Sequence, residues 1–250
     1  MRLFTFAALS VLALALPAAA QERSLNFSLG VAGVAGPEYF GSDNFETAIV
    51  PTLNFGAIRW GALEAGNGVR GVPDNGMSLR GAFRLLGDRS IEESPELVGL
   101  EDIDIALELG LGLTYQQTNW MAFGEIRKGV LGHSAVTGTL GADLILRLSD
   151  RWNFAIGPRV NFGDDEFAND YFGVSTPTAN FAAFNATGGA LSGGLLMTGS
   201  YYLDDNWSLD GALSYEKLLG DAADSPITMR GSEGQWRIGL GLSRVFNLNF

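Results

Sequence analysis

From Gln235 to Phe250 the chain alternates with period two. Trp236, Ile238, Leu240, Leu242, Phe246, Leu248 and Phe250 are apolar, and Arg244 is the one exception among the even positions. Gln235, Arg237, Gly239, Gly241, Ser243, Asn247 and Asn249 are polar or glycine, with Val245 the exception among the odd ones. Successive strand side chains point to opposite faces, so this stretch is a strand with one greasy and one wet side. Its length is the constraint. Strands of soluble domains usually run ~5–6 residues, whereas a tilted strand crossing a membrane needs ~9–11 in the hydrocarbon and more beyond it.

The pattern recurs. Ile103, Ile105, Leu107, Leu109, Leu111, Leu113 and Tyr115 oppose Asp102, Asp104, Ala106, Glu108, Gly110, Gly112, Thr114 and Gln116. Residues 24–31, 151–162 and 206–216 alternate in the same way. The wet faces carry carboxylates, arginines and many glycines, which suits a solvated lumen better than a dry sandwich interior. The prediction is an all-β fold, a closed antiparallel transmembrane β-barrel. Eleven runs are visible: 24–35, 45–58, 59–70, 76–86, 102–116, 119–129, 134–149, 151–162, 187–203, 206–219 and 234–250. Bacterial single-chain barrels have even counts. Residues 59–116 hold three runs between two short turns, so the error lies there. Either 87–101 hides a strand, giving twelve, or two runs merge, giving ten; twelve is favoured. The long connections 36–44, 163–186 and 220–233 are expected on the extracellular side.

The ends carry addressing features. Arg2, an apolar run from Leu3 to Leu16, Pro17 and Ala18-Ala19-Ala20 predict a signal peptide, residues 1–20, cleaved before Gln21. The apolar run is short of the ~20 residues a membrane helix needs. Residues 21–250 are then a single barrel domain, and the expected address is the outer membrane of a Gram-negative cell. Phe246, Leu248 and Phe250 share one face, similar to the sorting end of outer-membrane proteins. Trp120, Trp152 and Trp207 each follow a short turn and predict one interfacial belt on the periplasmic side. Trp236 is a fourth girdle candidate.

Charge and composition exclude several chemistries. A formal net charge of −12 leaves no general phosphate-binding footprint, so no nucleic-acid partner is expected. There is no cysteine, hence no disulfide framework and no thiolate metal site. His133 is the only histidine. Gly132-His133-Ser134 reads as a turn without a nucleophile motif, so no catalytic residue and no cofactor are expected. Asp164, Asp165, Glu166 and Asp170 cluster in one loop, but their spacing fits no known calcium loop, and no metal is expected. Asp102, Asp104, Glu108 and Asp143, set against Arg147, Arg151, Arg159 and Arg237, predict a narrow or plugged lumen; a cation-preferring pore is the alternative.

Four segments follow one another in order: Gly36-Pro37-Glu38-Tyr39-Phe40-Gly41-Ser42, then Tyr171-Phe172-Gly173-Val174-Ser175, then Leu218 to Ile227 with Asp221, Asp224, Ser225 and Pro226, then Val245 to Phe250. Together they resemble the MipA/OmpV family of outer-membrane proteins, also called MltA-interacting proteins. The first and third segments also read as loop punctuation, with proline fixing φ and glycine permitting positive φ. The resemblance implies a non-enzymatic barrel that acts as a scaffold. Its partners would be outer-membrane lipid, a lytic murein transglycosylase and a murein synthase. The rival readings are a small-solute channel, an adhesion-type barrel, a lipid-modifying barrel enzyme and a soluble periplasmic sandwich.

Overall fold

A computed structural model describes residues 23–250 apart from 62, 67, 71–73 and 93. The expected signal segment, 1–20, lies outside the described residues. The strands are β1 (Ser24–Pro37), β2 (Phe45–Trp60), β3 (Leu63–Ala65), β4 (Gly76–Leu86), β5 (Ala106–Gln116), β6 (Trp120–Leu131), β7 (Val136–Arg147), β8 (Trp152–Gly163), β9 (Gly189–Tyr202), β10 (Trp207–Leu218) and β11 (Gly234–Asn249). Three short helices, α1 (Asp165–Phe172), α2 (Gly220–Asp224) and α3 (Pro226–Arg230), sit in loops.

All pairings are antiparallel, in the order β3-β2-β1-β11-β10-β9-β8-β7-β6-β5-β4. The first and last long strands pair with each other, Ser24 opposite Asn249 through Ala35 opposite Ile238. The sheet is a nearly closed barrel of ten long strands, with β2 and β4 flanking the seam. The expected twelve is therefore corrected to ten. Residues 59–70 do not form a long strand, because Gly61, Gly66 and Gly68 take φ of 63°, 81° and 95° and leave only β3 between them. Residues 87–101 hide no long strand either. They hold a 3-10 turn, Pro95–Leu97, opened by a proline that cannot donate to a ladder. The run expected from 102 begins only at Ala106.

Ten strands return both chain ends to the same side, where the connections 117–119, 148–151 and 203–206 are short. The long connections gather at the other side. The apolar half of each strand faces outward and is bare: Leu111 is 68% and Ile49 81% exposed. No helix among the described residues is long and apolar enough to cross a membrane, so the crossing elements are strands. Covering so broad an apolar band requires lipid.

Arg244 lies on this outward face but not in mid-band. It is opposite Trp207, the first residue of β10, with its guanidinium 5.4 Å from the Trp207 ring and 5.5 Å from that of Phe246. The charge sits at girdle level against two aromatic faces, which removes most of the penalty of a lipid-facing arginine. Leu111, halfway along β5 between Gly81 and Ile126, has no such shelter. Leu111→Arg is expected to cost ~2–4 kcal/mol of unfolding free energy in lipid vesicles, measured by urea titration, whereas Leu131→Arg at a strand end costs under ~1.

Candidate functional site

The polar residues of β4 to β10 meet inside the barrel. Glu108 is wholly buried, at 0% exposure. Arg84 grips it through two bonds of 2.9 and 2.6 Å, Arg127 adds one at 3.0 Å, and Thr137 Oγ1 donates at 2.7 Å. Arg127 also binds Glu125 and donates to Thr139 Oγ1 at 3.0 Å. Arg80 approaches Glu125 at 3.5 Å. The chain of contacts continues from Thr139 to Asn161 at 2.8 Å, then from Asn161 to Glu216 at 3.0 Å. Asp143 and Arg159 form a separate forked pair at 2.7 and 2.9 Å. Charge-assisted, multiply bonded groups of this kind are held rigidly and fill the space they occupy.

The expected opposition of lumen charges is thus met in part. Asp143 does face Arg159. Glu108 instead takes Arg84 and Arg127, which sequence reading missed. Asp102 accepts from the Ile91 amide in a loop, Arg147 donates to the Thr118 carbonyl, and Arg151 lies in a turn.

Above this network the long loops fold into a lid with its own apolar core. Leu97, Phe167, Tyr171, Phe172, Phe181 and Ile227 are all buried there. Phe40 packs against Tyr171 and Phe172 with ring centres 5.3 and 5.7 Å apart. Burial of side chains this size stabilises by about 1.5–3 kcal/mol each. Polar bonds tie the loops together. Tyr39 donates to Glu96 at 3.2 Å, Arg89 to the Tyr171 carbonyl at 3.1 Å, and Ser225 to the Phe172 carbonyl at 2.6 Å. Burial pushes the hydroxyls of Tyr39 and Tyr171 up to about 12, so both stay neutral; Tyr39 donates to Glu96, while the Tyr171 hydroxyl is buried with no hydrogen-bond partner among the described residues. Gly41 has φ 92°, and a Cβ there would lie 2.9 Å from the Thr228 Cα, so α3 packs directly on its backbone.

Three sequence segments singled out as family motifs are therefore neighbours. Gly36 and Pro37 end β1; Tyr39, Gly41 and Ser42 face Glu96, Thr228 and Gln235; Tyr171, Phe172, Gly173 and Val174 close α1; Asp224, Ser225 and Pro226 join α2 to α3. Asp221 accepts from the Thr187 amide at 2.8 Å and its hydroxyl at 2.6 Å, and these bonds hold its carboxyl below the usual carboxylate range. A depressed folded-state value gives stability that is full above the unfolded value near ~3.9 and lost as pH falls through the folded one. Amide exchange at Thr187 is expected to accelerate below about pH 4 relative to strand amides, and Asp221→Asn should abolish that pH step.

The loop acids have structural partners. Asp164 caps α1 through the Phe167 amide, Asp165 accepts from Gly188, and Glu166 accepts from Ser134. Among the described residues no group of three or more such side chains is set to hold a metal. Ser134 thus bonds to Glu166 and not to His133. His133 is buried against Phe167 and Tyr171, with Nε2 3.5 Å from Glu108. This histidine and serine do not form a hydroxyl–imidazole pair.

At the opposite end Trp120, Trp152 and Trp207 open β6, β8 and β10. Trp60, which sequence reading left out, ends β2 at the same end, stacked under Arg23 at 4.6 Å and 6.3 Å from Phe250. Its placement just before Gly61 was the available signal. Trp236 lies at the lid end, 4.7 Å from Tyr215. Phe246 stacks on Phe27 at 5.6 Å, and Leu248 sits opposite Leu25. At this end the chain near residue 70 reaches across: Val69 donates to Asn26 at 2.6 Å, and Arg70 to the Asp204 carbonyl at 2.6 Å.

Among solved structures, an outer membrane channel from Pseudomonas putida F1 is similar at 14% identity and a TM-score of 0.44, covering 90% of this chain and 95% of that one. The monoaromatic hydrocarbon channel CymD aligns at 10% identity and a TM-score of 0.38, covering 91% and 89%. Neisserial surface protein A aligns at 8% and 0.30, covering 88% and 96%. No curated protein matches. The family model for MltA-interacting protein MipA matches residues 29–246, from β1 through the lid to the last strand. With outward apolar strands, a polar interior and the family model matched over most of its length, this chain belongs to the MipA family of outer-membrane barrels.

Proposed function

We propose that this barrel is a non-enzymatic scaffold, closed to solute flow, which holds murein-synthesising and murein-remodelling enzymes at the outer membrane. The observation that carries the reading is the packed lid over the barrel mouth, beneath which the Arg84–Glu108–Arg127 cluster lines the β4–β6 wall of the lumen. The family description, an MltA-interacting protein, supports a murein transglycosylase as one partner. The lid faces outward from the cell, and the short-turn end faces the periplasm, where such enzymes work. Residues 1–20 leave as a signal peptide; Phe246, Leu248 and Phe250 form the sorting end; Trp120, Trp152 and Trp207 anchor the inner interface and Trp236 the outer one.

Planar-bilayer recording is expected to show no sustained open conductance, and crosslinked pull-down from intact envelopes to recover a lytic murein transglycosylase with a murein synthase. A robust open pore overturns the closed reading. Recovery of no murein enzyme overturns the scaffold reading.

A further inference from the structure

One wall of the lumen, under the lid, is not filled. A cavity of about 340 Å³ lies between β1, β7 to β11. Val34, Leu196 and Ala212 give it an apolar side; Asn161, Glu216 and Arg237 give it a polar one. A volume in this range suits a small organic ligand.

We propose that this cavity binds a small zwitterion of α-amino-acid size, with its carboxylate on Arg237 and its ammonium on Glu216. Arg84, Arg127 and Arg159 are each committed to a carboxylate. Arg237 has no hydrogen bond or ion pair among the described residues and is exposed to the lumen, so its guanidinium is free to take a ligand. Glu216 accepts from Asn161 at 3.0 Å and from Ser192 at 2.8 Å, both on Oε2, and its Oε1 accepts nothing from the described residues.

The register makes these two charges near neighbours. Glu216 is opposite Gln235, and Ser214 is opposite Arg237, so Glu216 and Arg237 are inward-facing diagonal partners on adjacent strands. Diagonal partners stand ~7–8 Å apart at their Cα atoms, so the two charged side chains serve the same part of the cavity. Glu216 turns toward β8 and β9, and Arg237 is left facing the cavity. An α-amino acid offers one charge to each of them, through charge-assisted bonds of ~2.8 Å. A simple anion satisfies Arg237 but meets the Glu216 carboxylate; a simple cation has the reverse fault. The apolar wall accepts the side chain. Gly36 contributes by absence: a Cβ there would come within 3.0 Å of Arg237 Nε, so the motif glycine lets the guanidinium lie along β1.

The proposal does not rest on the scaffold reading, and failure to recover a murein enzyme leaves it intact. The test is calorimetric titration of the full folded chain in detergent micelles with L-leucine, isocaproate and isoamylamine. Saturable leucine binding is expected, with isocaproate and isoamylamine each weaker by about tenfold or more. Arg237→Gln and Glu216→Gln should each weaken leucine by a similar factor, and Glu216→Gln should also narrow the gap between leucine and isocaproate. Heat-modifiable gel migration checks that each variant folds. If either does not, the three ligands on the unaltered chain decide alone. Absence of saturable leucine binding, equal binding of either analogue, or leucine affinity indifferent to a folded Arg237→Gln overturns the assignment.

Discussion

Glu108→Ala is expected to destabilise the barrel by about 3–5 kcal/mol, read as a lower urea midpoint for loss of heat-modifiable migration in detergent. The side chain is fully buried and is the shared partner of Arg84 and Arg127, with Thr137 as a further donor. Alanine leaves two guanidinium groups close together in the barrel interior with their common counter-charge gone. The loss is dominated by those stranded charges, not by the missing contacts themselves. Glu108→Gln keeps one acceptor oxygen and should therefore cost less, about 1–3 kcal/mol. The triple change Glu108→Leu, Arg84→Met and Arg127→Met should recover most of the stability, since Glu125, the other acid bonded to Arg127, keeps Arg80 as a partner at 3.5 Å. A Glu108→Ala barrel as stable as the parent would show that water reaches the cluster freely.

Phe172→Ala should act on the lid and spare the strands. Phe172 is 1% exposed, packs against Phe40, and its carbonyl takes the Ser225 hydroxyl. Truncating a buried phenylalanine costs ~3–5 kcal/mol. The lid is held by a few short helices and loops and has little stability to spare, so its closed state should lose its dominance. The expected result is rapid amide exchange and protease cutting in 164–188 and 219–233, with strand protection and heat-modifiable migration unchanged. Loss of the closed lid should also raise conductance in planar-bilayer recording. Equal protection of the loops in the variant would mean that the lid does not fold as its own unit.

The strands were readable because lipid on one side and water on the other impose the alternation residue by residue. The predicted runs 76–86 and 151–162 agree with β4 and β8 within one residue at either end. The seam was misread because glycines at 61, 66 and 68 leave composition apolar enough for a strand while turning the backbone elsewhere. Glu108 reads as a lumen charge from the alternation alone, but its partners do not. Arg84 is its opposite number across β4 and β5, and Arg127 a diagonal one across β6. That register depends on how strands align, and no local pattern encodes it. The lid was the least visible part. Its motifs read singly as turns, and contacts such as Ser225 with Phe172 join residues from loops that have no periodicity to compare.

The pairing of β1 with β11 also governs when this protein can finish folding. A strand near the beginning must wait for one that ends at Asn249, so neither can be completed in the order of synthesis. Loop closure over such a separation is entropically late, and topologies dominated by distant pairings form slowly. Until that stitch is made, the β1–β2 hairpin offers an open backbone edge to water or to other chains. The polypeptide therefore needs an escort until β1 and β11 have met, and damage to β11 should prevent closure rather than yield a weakened barrel.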